Sequence, residues 1–563
     1  MHHVRTPALL FLVALGARVI AGLVFPDPAY PDSYYYVNVA RELAAGNGFQ
    51  VDYIWNFVEV GGRLPAEPAL PIASNAHWMP LAALIQVPFI WVFGASALAQ
   101  GLPFWLIGAL ASPLAYLIGR DAGLTRGQSI AGGLLTALPG AAAPFLAQPD
   151  NFALFMPLGA LALWCCGRGL KGDRRAFAVG GLVVGLATLS RTDGVLLGVP
   201  FALAFGLERW RVWRGGRIGG QSNVPERSTM IGWLPALACV AGFALIVLPW
   251  FARQLAVFGS LSPSAANGRI LLIPTYRELY SITSDTTLGA FLGQGPEALL
   301  ASRAGGLIAA LGLFASVPLL YYLVPVTAIG AWLRRRDPIF LPWLLYGASL
   351  LLFSGLLFAV HVPYGTFMHS AVALVPHAYL LAVLGIGGAV TAIARRRSSW
   401  DVARATRNLT GAAVVFALIG GAGAVWRTST SWRSYQSARE PLAAELRHTP
   451  RSDLVMSSDP GAYRYLAGRG GIVTPDDPLP VVEQALRAYD VRWLALESDH
   501  LVPSLAPLLR GTERPAWLSR PLVVVPARVQ PGSAAAGSQL TPPAPAAALF
   551  AVCFSPGDSR CDP

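Results

Sequence analysis

Charge is what this sequence has least of. Of 563 residues only 13% are Asp, Glu, Lys or Arg, while 54% are hydrophobic; soluble domains carry charge at about a quarter of their positions. A chain this poor in charge has too little to clothe a water-facing surface, so its solvent is the membrane. Lysine is nearly missing: Lys171 is the only one, and arginine supplies the net charge of +12. Those arginines fall in short clusters between long apolar runs, not as a stripe on a polar domain, which argues against nucleic-acid binding. Arginine in place of lysine fits a GC-rich bacterial genome. Cysteine is also scarce, and five are too few for a disulfide scaffold. Cys165, Cys166 and Cys239 lie in apolar runs and read as packing residues; Cys553 and Cys561 could pair in an extracytoplasmic domain.

What is present is a series of apolar runs too long and continuous for the short alternating strands of a membrane barrel. The first, Thr6 to Phe25, follows a basic start and has no small-residue cleavage site before Pro26, so it reads as a span. The fold expected is an all-α polytopic membrane protein with about eleven spans, near 7–25, 99–119, 128–147, 152–168, 175–190, 193–207, 230–250, 303–332, 338–360, 367–393 and 410–427. Met79 to Gly94 is too short to cross and carries Pro80 and Pro88. Leaving it out puts every basic cluster (Arg120/Arg126, Arg168 to Arg175, Arg209 to Arg217, Arg334 to Arg336, Arg395 to Arg397) on one face, which the positive-inside rule makes cytoplasmic. Met79 to Gly94 then lies along the interface.

The N-terminus is thus expected in the cytoplasm. A first loop of residues 26–98, the tip at Asp150, the Arg191 to Gly194 turn, residues 251–302 and the tail are expected outside. Residues 1–428 form the transmembrane domain. After Trp426 the pattern changes: strands at Asp453 to Ser458, Gly471 to Thr474 and Arg492 to Glu497 alternate with helices at Gly461 to Ala467 and Val481 to Tyr489, predicting a small α/β domain over 429–530. Residues 531–563 are read as a Pro/Ala-rich linker and C-terminal end.

The first loop holds the densest polar chemistry, including Asp27, Asp32, Glu59, Arg63, Glu67 and His77, and loops of that length are uncommon without function. Pro31 to Ala45 reads as an amphipathic surface helix, with Tyr36, Val39, Ala40 and Leu43 at helical spacing, Asp32 suited to its N-cap and Gly46 ending it. On spacing alone Asp32 is a cap; a catalytic carboxylate is the competing role. Arg191 and Asp193 suit a turn-stabilising pair, Asp150 a helix cap, Arg253 a headgroup anchor and His77 a structural hydrogen bonder. His361, His369 and His377 are eight apart, a spacing that turns them out of reach of one metal ion; no structural zinc is expected, and His361 with Tyr364, at an outer corner, suits interface anchoring better than substrate contact.

Taken in order, these segments resemble the GT-C superfamily of polyprenyl-phosphate-sugar-dependent glycosyltransferases, which includes protein O-mannosyltransferases and lipid A aminoarabinose transferase. The resemblance rests on an acid after the first span followed by Tyr34 to Tyr36, on His77-Trp78-Met79-Pro80, on Gln148-Pro149-Asp150, on Arg191-Thr192-Asp193-Gly194, and on Pro249-Trp250-Phe251-Ala252-Arg253 with Phe258-Gly259. Ser457-Ser458-Asp459-Pro460 with Tyr463 resembles the outer domain of bacterial members. Trp78 and Met79 depart from the family's histidine-proline segment. The resemblance implies sugar transfer from a polyprenyl-phosphate donor to an extracytoplasmic protein, lipid or glycan acceptor at a bacterial inner membrane. Asp32 would be the general base of an inverting displacement, Asp150 a second carboxylate, and His77, Arg191, Arg253, Tyr35 and Asp193 would bind substrate and phosphate. A divalent cation is used by some members. A transporter or flippase of lipid-linked or small-molecule substrates is the alternative; it predicts interrupted helices in matching halves and polar residues deep in spans, whereas the acids and bases here gather at helix ends. A non-enzymatic membrane protein with an outer binding domain leaves the long first loop unexplained. The topology is tested by fusing a reporter that is active only outside the cytoplasm. Fusion after Asp285 is expected to be active and fusion after Arg336 silent, and the reverse pattern would invert the orientation.

Overall fold

The computed structural model describes residues 2–218, 230–266, 268–397, 399–527 and 545–554. The chain divides into two compact units. One comprises Met1–Asp27, Trp78–Ala256 and Pro296–Ser429, the other Pro28–His77, Val257–Gly295 and Thr430–Pro563.

The first unit is helical, as expected. Among the described residues, seven helices are long and apolar enough to cross a membrane, or eight if the bent pair Arg126–Ala137 and Gly140–Ala147 is one span. Apolar composition over about 20 residues satisfies both the backbone and the hydrocarbon. Several expected spans take another form. Residues 175–190 and 338–360 become the 17-residue helices Arg174–Ser190 and Leu341–Leu357. The 193–207 span becomes a 3-10 turn, Thr192–Leu197, leading into Gly198–Ile218. The 303–332 span is two helices, Pro296–Ser316 and Val324–Leu333, separated at Leu320 and Tyr321, both with positive φ. The 128–147 span breaks after Ala137, where Pro139 and Gly140 interrupt the helix and bend it by 44°. Met79 to Gly94 forms only Leu81–Leu84 and Val87–Phe93, too short to cross.

Phe152–Leu170 and Thr366–Ala394 run through the middle of this unit, 72% and 83% buried, whereas Trp233–Phe258 and Pro296–Ser316, 17% and 11% buried, turn apolar flanks outward. The core gathers Phe155, Met156, Phe177, Tyr346, Phe367 and Tyr379. Val324–Leu333 and Val375–Ala394 approach so closely that a Cβ on Gly330 would meet the Leu381 carbonyl at 1.9 Å and one on Gly385 the Val326 carbonyl at 1.8 Å. Without a hydrophobic force between helices in lipid, such backbone proximity is what packing can use. Each basic cluster falls at a helix end; Arg168 pairs with Asp173 at 2.7 Å and Lys171 with Asp121 at 2.8 Å.

The second unit is α/β. Strands β1 (Gln50–Val51) and β3 (Ile72–Ala73) pair antiparallel. The main sheet takes β2 (Tyr53–Ile54), β4 (Leu454–Ser457), β5 (Gly471–Val473), β6 (Val491–Glu497), β7 (Leu518–Val525) and β8 (Ala547–Val552) in the order β2-β5-β4-β6-β8-β7. The first four strands in that order are parallel and the last two antiparallel. The near-continuous apolar runs of β4, β5 and β6 are what a sheet covered on both faces requires. Helices Pro460–Ala467 and Leu479–Ala488 supply the crossovers. Asp459 caps the first by accepting from Ala462 N at 3.2 Å, with Pro460 at N1 and Gly468 ending it at φ +68. The last strand, β8, lies within the stretch read as linker and tail; an alanine-rich run proved apolar enough to close the sheet. The rest of that linker, and Cys561, lie outside the described residues.

The helix Pro31–Ala44 is not an amphipathic surface helix. Every residue from Ser33 to Ala40 is buried, because the helix packs against Pro460–Ala467 of the same unit: Asn38 donates to the Gly461 carbonyl at 2.9 Å, and the Tyr34 and Tyr465 rings lie 5.6 Å apart.

A buried ion cluster ties the α/β unit together. Arg439, on the 45-residue helix Val402–Leu446, meets Glu497 at 2.7 Å and Asp459 at 3.2 Å, and the Tyr463 hydroxyl donates to Glu497 at 3.0 Å. Burial disfavours the charged guanidinium, but the two carboxylates outweigh it and raise its pKa well above the ordinary arginine value. Arg439→Met leaves both carboxylates without their cation, so the unit is expected to lose about 3–5 kcal/mol, read as a fall in thermal midpoint of the purified chain. An unchanged midpoint would show that the cluster is not structural.

Candidate active site

In the helical unit, Asp150 sits between the 3-10 turn Phe145–Ala147 and helix Phe152–Leu170, its carboxylate fully buried. It is not the helix cap expected: Asn151 takes that position, and Asp150 Oδ1 accepts from the Asn151 amide at 2.5 Å. The other oxygen, Oδ2, lies 3.3 Å from His369 Nε2. The His369 ring stacks on Phe152 at 3.8 Å, and its Nδ1 is 3.1 Å from the Gly365 carbonyl. A carbonyl can only accept, so Nδ1 carries a proton.

The next residue of the same short helix, Thr366–Ala371, reaches a second carboxylate. Ser370 donates to Asp193 Oδ2 and accepts from Arg191 Nε at 3.1 Å. Arg191 also meets Asp193 Oδ1 at 3.0 Å and Oδ2 at 3.3 Å, and the Thr366 carbonyl at 3.4 Å. The turn-stabilising pair expected from spacing is present. Its side chains are only 15% and 11% exposed, and Nε and Nη2 of Arg191 are engaged within the turn. Arg253 lies inside helix Trp233–Phe258, its guanidinium 5.0 Å from the Trp250 ring and donating to Gln254 at 2.7 Å. That is the aromatic anchoring suited to an interface.

In the α/β unit, Asp32 stands in the first turn of Pro31–Ala44, where the helix dipole favours a carboxylate. It does not cap that helix. Tyr30 holds the N-cap position, and the Ser33 hydroxyl accepts from the amides of Ala29 and Tyr30 at 2.9 and 3.1 Å. Tyr35 is buried and does not open to a substrate; its hydroxyl donates to Glu59 at 2.9 Å and accepts from the Asn75 amide at 2.7 Å. His77 Nδ1 lies 3.1 Å from the Ser264 hydroxyl, and its ring is 5.4 Å from that of Trp55. Trp55 in turn meets the Tyr280 ring edge-on at 6.4 Å. Burial first, then Tyr276, then the charges of Asp32 and Asp459 hold the Tyr280 hydroxyl protonated well above the ordinary tyrosine range.

Residues 76–217 match the family model described as dolichyl-phosphate-mannose-protein mannosyltransferase. That segment contains His77, Asp150, Arg191 and Asp193. The chain is also similar, over 99% of both lengths, to ArnT from Cupriavidus metallidurans bound to undecaprenyl phosphate, with a TM-score of 0.53 at 13% identity. The fold of this chain is thus similar to that of ArnT. The apo ArnT structure gives a TM-score of 0.51 at 14% identity, covering 98% of both chains. The oligosaccharyltransferase of Archaeoglobus fulgidus, solved with Zn and sulfate, is similar at a TM-score of 0.49 and 14% identity, over 86% of this chain and 68% of that one. No curated protein sequence matches.

The sequence singled out Asp150, Arg191 and Asp193, which gather around helix Thr366–Ala371. It missed His369 and Ser370 on that helix: their partners stand 219 and 177 positions away, and no local spacing encodes such a pair. It also left Glu59 without a role. Burial pushes the Glu59 carboxyl up to about 8, with the Tyr35 hydroxyl pulling the other way. The sign follows from linkage: a carboxylate whose folded pKa is raised favours the folded state below its unfolded value near 4.5, and that contribution is lost as pH climbs through about 8. Wild type is therefore expected to lose thermal stability between about pH 5 and 8, and Glu59→Gln to flatten that slope; equal slopes would remove Glu59 as the cause.

Proposed function

We propose that the chain transfers a sugar from a polyprenyl-phosphate donor to an extracytoplasmic acceptor at a bacterial inner membrane. The observation carrying this reading is the family-model match through residues 76–217. The GT-C fold adds to it, since the similar ArnT was solved with undecaprenyl phosphate; fold by itself is analogy.

The chemistry asks for two things. The acceptor must lose a proton as it attacks the anomeric carbon, which a carboxylate supplies. Asp32 is that base, in a single displacement that inverts the anomeric centre. The departing phosphate gathers negative charge and needs cations. Arg253 and His77 fill that role. Arg191, engaged with Asp193, Ser370 and the Thr366 carbonyl, acts as a positioning residue that fixes the helix carrying His369. Asp150 and His369 offer one oxygen and one nitrogen, donor types suited to a divalent transition cation; they are the residues that would hold one.

Transfer is measured in membranes supplied with labelled polyprenyl-phosphate sugars. Asp32→Asn is expected to lower the rate by about 10²–10⁴-fold at normal expression, with donor binding retained. Undiminished transfer would remove Asp32 as the base.

A further inference from the structure

Residues Val257–Gly295 belong to the α/β unit, yet the chain enters and leaves them through the span candidates Trp233–Phe258 and Pro296–Ser316. Among the described residues, the first-loop stretch of this unit, 28–77, exposes no large apolar side chain, whereas this stretch exposes Val257, Leu261, Leu271, Leu288 and Leu292. Single exposed apolar residues are ordinary. A wholly apolar exposed helix is not. Helix Leu288–Gly293 runs Leu-Gly-Ala-Phe-Leu-Gly, without one polar side chain, and among the described residues none of its 6 residues is buried. Leu288 is 59% exposed and Leu292 55%. A helix apolar on every side belongs in a core or in lipid, and helices shorter than about 12–15 residues are marginal alone in water. No core among the described residues receives this one, so its apolar surroundings come from outside the chain.

The ends of the helix fit a place where water is scarce. The Thr287 hydroxyl accepts from the Ala290 amide at 3.2 Å and the Thr287 carbonyl from the Phe291 amide at 3.0 Å. At the other end the Gln294 side-chain amide donates to the Phe291 carbonyl at 2.9 Å, and the Gly295 amide to the Leu292 carbonyl at 3.1 Å. Helix-end groups can be left to water on an aqueous surface; in lipid they have to be answered within the chain. The nearest charges on either side, Asp285 and Glu297, are exposed and stand outside the apolar run. Chain length limits how far the helix can stray from the bilayer: Gly293 stands three residues before Pro296, a reach of about 11 Å, and Pro296 opens a span candidate that is only 11% buried.

Leu288, Phe291 and Leu292 stand at i, i+3 and i+4 and so share one face. We propose that helix Leu288–Gly293 docks the α/β unit onto a lipid surface, lying along the leaflet on its own side with that face against the acyl chains. This contact requires the spans and not the sugar-transfer reading.

The test uses the full chain carrying Leu292→Cys, labelled with an environment-sensitive fluorophore and reconstituted in phosphatidylcholine liposomes. Quenching is compared for lipid nitroxides near the headgroup end of the acyl chain, lipid nitroxides near its methyl end, and aqueous iodide. Labelled wild type corrects for native thiols, and Glu513→Cys, at an exposed position of the same unit, gives the water-facing reference. The shallow nitroxide is expected to quench the label at 292 roughly threefold or more above the label at 513, with iodide in the reverse order, as a helix about 5–10 Å into the headgroup and acyl boundary requires. Adding Leu288→Asp is expected to cut that lipid quenching, because a carboxylate is costly against acyl chains. Iodide quenching at 292 equal to that at 513 would overturn the contact. Protection from every quencher would overturn it too, since a second copy and not lipid would then cover the helix, and quenching strongest from the methyl end would rule out a helix lying at the interface. Asp32→Asn is expected to leave the pattern unchanged.

Discussion

Inside a bilayer a polar group has no water to turn to, and that constraint organises the helical unit. Backbone amides are satisfied within helices, and most charges are moved to helix ends, where they pair with each other or with the interface. The exceptions then acquire meaning. Asp150 is fully buried and is met by His369; Arg191 and Asp193 are met by Ser370. A six-residue helix, Thr366–Ala371, serves both carboxylates from consecutive positions. Gly365, at φ +101, gives that helix its start by turning the chain through a conformation that side-chain-bearing residues rarely adopt.

The α/β unit solves a different problem, holding together a domain assembled from three separated stretches of chain. Its parallel strands are covered on both faces, and the buried Arg439 sits between two carboxylates, Asp459 and Glu497. The first-loop helix is drawn into this unit by its tyrosines. Tyr35 stands between Glu59 and the Asn75 amide and so fixes the loop as a folded body, not a flap.

Much of this was legible in the sequence, and the parts that were not share a cause. Apolar run length marked the spans, and the alternation of short apolar runs with helical spacing marked β4, β5, β6 and their crossovers within a few residues. The Arg191–Asp193 turn was legible because both partners lie two apart. Where the outcome depended on a partner far along the chain, local pattern misled. Asp32 and Asp150 read as caps, but Tyr30 and Asn151 took those positions. Pro31–Ala44 read as a surface helix because its polar face meets Pro460–Ala467, some 420 positions later. His369 was left without a role because nothing near it announces Asp150. The alanine-rich run before Val552 read as linker because alanine is as common in loose tails as in tight sheets.

The central claim is the proposal that this chain breaks the bond between a sugar and a lipid phosphate. The direct measurement uses a polyprenyl-phosphate sugar labelled separately in the sugar and in the phosphate, given to the purified chain in liposomes with an acceptor extract. The sugar label is predicted to leave the lipid fraction while the phosphate label stays with it. Movement of both labels together, or transfer of the intact donor across the bilayer with no cleavage, would contradict the account and favour a carrier.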